Sequence, residues 1–134
     1  MTIDTQVLAY LQNVLVELEQ EAKGDPPRLG TPPRLFFVEE KEPSDHQFFN
    51  TGPTRRRWKV TAEQVVPLAS EESLPPKSVS GMYYSIGQAD FALINSDGIV
   101  RLGWWVGPRF GRGYDFPLEY SADKEPQLGK PNPK

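Results

Sequence analysis

Asp97-Gly98 sits between two runs of alternating apolar residues, and this dipeptide constrains the fold more than any other feature of the chain. Glycine tolerates the positive φ that a two-residue type I′ hairpin turn needs. Folding there pairs Leu93 with Leu102, Phe91 with Trp104 and Ala89 with Val106, all on one face. Gly87-Gln88 offers a second tight turn, of type II′, pairing Ile86 with Ala89, Tyr84 with Phe91 and Met82 with Leu93. Both turns assign the same residues to the same face, so residues 81–106 read as a three-stranded β-meander. A one-residue slip would break that agreement. The opposite face carries Tyr83, Ser85, Asp90, Ala92, Ile94, Arg101 and Trp105.

Upstream, residues 3–22 read as an amphipathic helix. Ile3, Val7, Leu11, Val14 and Leu18 recur at spacings of three and four, and Leu8 and Leu15 widen the stripe. Thr2 or Asp4 suits the N-cap, and Gly24 suits the stop before Pro26-Pro27. Gln12, Asn13, Glu17, Glu19 and Gln20 are then expected to face water. The stripe also approximates a heptad seam, so the chain is expected to be a monomer or a homodimer, with packing on its own sheet favoured over a coiled coil. The repeated Pro-Pro-Arg-Leu at 26–29 and 32–35 reads as a stiff crossover into a strand at 35–40 rather than as a docking peptide. A loop at 41–54 is expected to fold Phe48 and Phe49 back onto the body. The strand from Arg55 to about Ala62 then places Trp58 and Val60 on one face, with Arg55, Arg57 and Lys59 on the other. Thr61 with Gln64 resembles a capping box, but nearby prolines permit only a short helical turn.

These elements give an α+β domain over 1–120: an N-terminal amphipathic helix on a mostly antiparallel sheet of about five strands, ending in the C-terminal meander. Residues 121–134 carry three prolines and one large apolar side chain, Leu128, and are expected to be a disordered tail.

Composition narrows the chemistry. Without cysteine there are no disulfides, thiolate nucleophiles or cysteine-ligated metals. No apolar run approaches the roughly 20 residues that span a bilayer, which makes a cytoplasmic protein with no membrane partner the expectation. His46, the one histidine, lies in a polar loop with no ligand spacing around it. Nucleophile elbows and phosphate loops are absent, and Gly103, Gly107, Gly111 and Gly113 read as a bulged strand end and turns. Neither a catalytic group nor a metal or cofactor site is therefore assigned.

The one constellation above background is basic and aromatic. Net charge is −3, yet residues 26–60 hold seven bases against four acids, while residues 1–25 hold five acids against one lysine. Arg55, Arg57, Lys59, Arg101, Trp105, Arg109 and Arg112 are the candidate binding residues. Arginine and tryptophan are favoured anchors at protein interfaces. A non-catalytic protein-interaction module, such as an adaptor, assembly factor or inhibitor, is thus the expected function. Single-stranded nucleic-acid binding is the alternative, disfavoured by net charge, and a carboxylate-dependent hydrolase or small-molecule binder comes third.

Overall fold

The computed structural model describes residues 2–22, 33–46, 49–69, 86–94, 98–106, 111–122 and 124–133. The expected strand at 81–86 (apart from Ile86), most of the tandem Pro-Pro-Arg-Leu element, Phe48, Asp97 and Arg109 lie outside these residues.

Helix α1 spans Ile3–Ala22, and Val7, Leu8, Leu11, Val14, Leu15 and Leu18 are all buried in the core of this one chain. Its stripe therefore packs on its own sheet. Among the described residues eight strands follow: β1 Leu35–Lys41, β2 Thr54–Thr61, β3 Val65–Leu68, β4 Ile86–Leu93, β5 Ile99–Trp105, β6 Gly111–Ser121, β7 Lys124–Leu128 and β8 Asn132–Pro133. The sheet has eight strands rather than about five, in the order β3-β2-β1-β4-β5-β6-β7, with β8 also on β6. Neighbours are antiparallel except β1 and β4, which run parallel at the centre. Residues 124–133, expected in a disordered tail, supply β7 and β8.

One face of the sheet receives α1. It carries Phe36 and Val38, Trp58 and Val60, Ala89 and Phe91, and Val100, Leu102 and Trp104, all buried. Trp58 stacks on Phe91 at 5.8 Å between ring centroids, and Trp104 leans on Phe36 at 5.9 Å. Polar side chains pin the N-terminal half of the helix. Gln6 donates to the Pro126 carbonyl and accepts from the Leu128 N–H, tying α1 to β7. Gln12, expected in water, donates to the Thr61 carbonyl at 3.0 Å. Arg56 forks onto Glu40 at 2.8 and 2.9 Å and reaches Asp4 of the first helical turn at 3.2 Å.

Two corrections concern the meander. The β4–β5 ladder pairs Phe91 with Leu102 and Ala89 with Trp104, two residues out from the expected register. The Ile94 N–H meets the Ile99 carbonyl, so four residues, 95–98, connect the strands instead of two. Because side chains alternate with period two, a two-residue shift leaves every side chain on its expected face. It also sets small Ala89, not bulky Phe91, opposite Trp104. Gly98 still has positive φ, at 86°. Gly87-Gln88, by contrast, is no turn: both residues lie inside β4 and pair with Phe36 and Phe37. A Cβ on Gly87 would run into the Phe36 ring, so the glycine makes room for an aromatic side chain. Thr61 and Gln64 likewise close a two-residue hairpin between β2 and β3, with Thr61 N–H to Gln64 O at 2.9 Å, and cap no helix.

Candidate binding cleft on the open face

The face of the sheet away from α1 follows from the same alternation. Crossing β2, β1, β4, β5 and β6, one row reads Lys59, Phe37, Gln88, Trp105 and Gly111. The next reads Arg57, Glu39, Asp90, Gly103 and Gly113, and a third ends with Ala92, Arg101 and Asp115. Gly103 and Gly113 are thus direct neighbours in the ladder. Where other strand positions raise a side chain, these leave bare backbone.

Around that floor lies a cleft of about 620 Å³. Trp105 and Phe49 contribute aromatic lining, and Asp90, Asn50 and Arg101 contribute polar lining. Phe49, expected to fold back onto the body, is 64% exposed. Its ring lies 4.9 Å from that of His46, and its N–H donates to His46 Nδ1 at 3.1 Å.

The loop between β1 and β2 builds part of this lining. The Glu42 N–H meets the Pro53 carbonyl, and Gly52 passes so close to the Glu42 carbonyl that a Cβ there would collide with it. Beyond that pinch, His46 and Asn50 reach the sheet at Arg101 and Asp90. Asn50, buried at the loop's end, donates through Nδ2 to Asp90 Oδ1 at 2.7 Å and to the Arg101 carbonyl at 3.1 Å. Asn50 Oδ1 is buried and has no hydrogen-bond partner among the described residues. Burial pushes the Asp90 carboxyl above its usual range, with Glu39 adding to the effect. The Asn50 hydrogen bond and Lys41 oppose it.

Of the seven sequence-predicted residues, the six that are described do not share one surface. Arg101 is buried, donating to the His46 carbonyl at 2.7 Å and lying 3.5 Å from Asp115. Arg57 sits 3.6 Å from Glu39, whose other contact is the Thr54 hydroxyl at 2.6 Å. Lys59 is exposed at the β2 side of the open face, away from the cleft, and Arg55, exposed at the register shift opposite Glu40 and Lys41, lines a separate hollow with Ile3, Asp4 and Arg56. Arg112 pairs with Trp104 in the ladder and therefore belongs to the α1 side, although it also borders the cleft. Arg109 lies outside the described residues. Trp105, Arg101 and Arg112 are the candidates that line the cleft.

Asn50, Phe49, Gly103 and Gly113 carry the cleft and were not among the candidates. Two glycines ten residues apart in the aromatic-rich stretch were a signal, since strand-interior glycine marks close backbone approach. Among the described residues no cluster of three or more acidic or histidine side chains is placed to hold a metal ion. No described helix is long and apolar enough to cross a membrane. Comparison with protein-family models, curated proteins and solved structures returns no significant match.

Proposed function

We propose that this chain is a non-catalytic protein-interaction module whose binding surface is the open-face cleft. The observation that carries this reading is the glycine floor. Glycine within a strand costs roughly 0.5–1 kcal/mol relative to alanine, yet two stand side by side under aromatic walls. A Cβ on Gly103 would meet nothing nearer than 3.6 Å, so the protein's own packing does not require glycine there. Approach of another molecule to the backbone does explain it. Concave, mostly apolar surfaces with a few convergent polar groups are where ligands generally bind.

The other two readings find less support. Nucleic-acid binding needs cations free for phosphates, whereas Arg57 and Arg101 already meet Glu39 and Asp115. Two-carboxylate hydrolysis needs a second acid facing the first, and Asp90 is the only carboxylate lining the cleft among the described residues.

Displayed-peptide selection on the intact protein tests the proposal, with a Gly103→Val variant as the counter-target. Valine suits a strand and fills the floor. Peptides selected on the wild type should bind the variant at least about tenfold more weakly, a loss of about 1.4 kcal/mol. Equal binding to both proteins would remove the cleft from consideration.

A further inference from the structure

On the open face, arginine and carboxylate come in pairs. Arg57 lies against Glu39 at 3.6 Å and Arg101 against Asp115 at 3.5 Å. Between those pairs sits Asp90, which has no ion pair within 4 Å among the described residues. Its hydrogen-bond partner there is the neutral amide of Asn50. Lys41 and Glu39 act on it only through space, with opposite signs. The position across the ladder, where a residue of β5 would supply a cation, is Gly103. A Cβ built on Gly103 would lie 3.6 Å from Asp90 Oδ1, so the empty place directly adjoins the carboxylate. A carboxylate only accepts, so the group that meets Asp90 from that place is a donor.

Resting on the interaction-module reading, we infer that the cleft takes an arginine-bearing segment of a partner protein, with the guanidinium lying on the Gly103–Gly113 floor against Asp90. One feature selects this chemistry over other cations, and two more favour a basic segment. A guanidinium is flat, stacks on aromatic walls and offers a fork of donors that an ammonium lacks. Trp105 and Phe49 provide such walls. The cleft, at about 620 Å³, exceeds what one headgroup fills and suits a stretch of peptide. The whole chain is acidic, with net charge −3, which favours encounter with a basic partner. Arg101 and Arg112 are the opposing charges in the lining: Arg101 is held by the His46 carbonyl and lies 3.5 Å from Asp115, and Arg112 sits on the helix side of the ladder rather than beside Asp90.

The test is an NMR titration of the full-length ¹⁵N-labelled protein with acetyl-Gly-Gly-Arg-Gly-Gly-amide and with its citrulline twin, which keeps shape but not charge. The arginine peptide should perturb the amides of Asp90, Gly103 and Gly113 and the Trp105 indole. It should bind at least about tenfold more tightly than the citrulline peptide. Asp90→Asn, which keeps an acceptor for Asn50, should erase that preference, and Gly103→Val should abolish both interactions. Equal binding of the two peptides by the wild type, or an arginine preference that survives in Asp90→Asn, would overturn the cationic occupant. The cleft itself would still stand if the displayed peptides remain sensitive to Gly103→Val. Perturbations away from these residues, together with displayed peptides indifferent to Gly103→Val, would remove the cleft and this inference together.

Discussion

Gly103 faces Gly113 in the middle of a sheet that would gain from a larger residue at that point. Its missing side chain has room: the nearest atoms to a built Cβ are Asp90 Oδ1 at 3.6 Å and the Arg112 carbonyl at 4.0 Å. Gly103→Ala should therefore raise stability in urea titrations by up to about 0.5–1 kcal/mol. A destabilised variant would mean that the glycine serves packing. Asp90 gives a second residue-scale expectation. Burial raises its carboxyl, so the native state holds the proton more tightly than the unfolded chain. This group's contribution to stability is complete below its unfolded value, near 4, and is lost as pH rises through the higher folded value. Asp90→Asn should thus be at least as stable as wild type at pH 7, with the advantage shrinking towards pH 3. Thermal melts of both proteins across that range check the sign, because the difference cancels carboxylates common to both. The sequence places Asp90, Arg101 and Trp105 on one face, and they do share it. It could not reveal that Arg101 would be consumed by Asp115 and His46, since those partners arrive from a neighbouring strand and a distant loop.

At the scale of elements, periodicity was a better guide than turn chemistry. The spacing in residues 3–22 marks the helix and its buried stripe, because a stripe of that width has one way to leave water. Leu11 is fully buried, and Leu11→Ala should cost about 2–5 kcal/mol in chemical denaturation. A cost well under 1 kcal/mol would contradict packing of α1 on the sheet. Trp104, 5% exposed against Phe36, should cost about 3–5 kcal/mol on replacement by alanine. Turn signals misled in three places for one reason: glycine and capping residues serve several geometries. Gly87 accommodates the Phe36 ring, Gly98 closes a longer connection than expected, and Thr61 with Gln64 close a hairpin. Strand β3, carrying Pro67, and the proline-containing strands β7 and β8 gave no strand pattern in sequence. All three are short additions along the edges of β2 and β6, held by the longer strand they pair with.

For the molecule as a whole, α1 closes one face of the sheet, and the β1–β2 loop partly covers the other, leaving the cleft beside Trp105. Among the described residues, the bases of the first half are partly consumed by ion pairs. Arg56 holds the helix through Asp4 and Glu40 and Arg57 meets Glu39, while Arg34, Arg55 and Lys59 are exposed. Charge counting along the sequence cannot show this, because pairing depends on strand order. The most direct measurement is the amide chemical-shift footprint of one selected peptide on the labelled wild-type protein. The largest shifts are expected at Asn50, Asp90, Gly103, Trp105 and Gly113, with α1 and the β3 edge unmoved. A footprint centred on α1, on β3 or on Arg55 and Lys59, with the glycine floor silent, would contradict the assignment of the binding site.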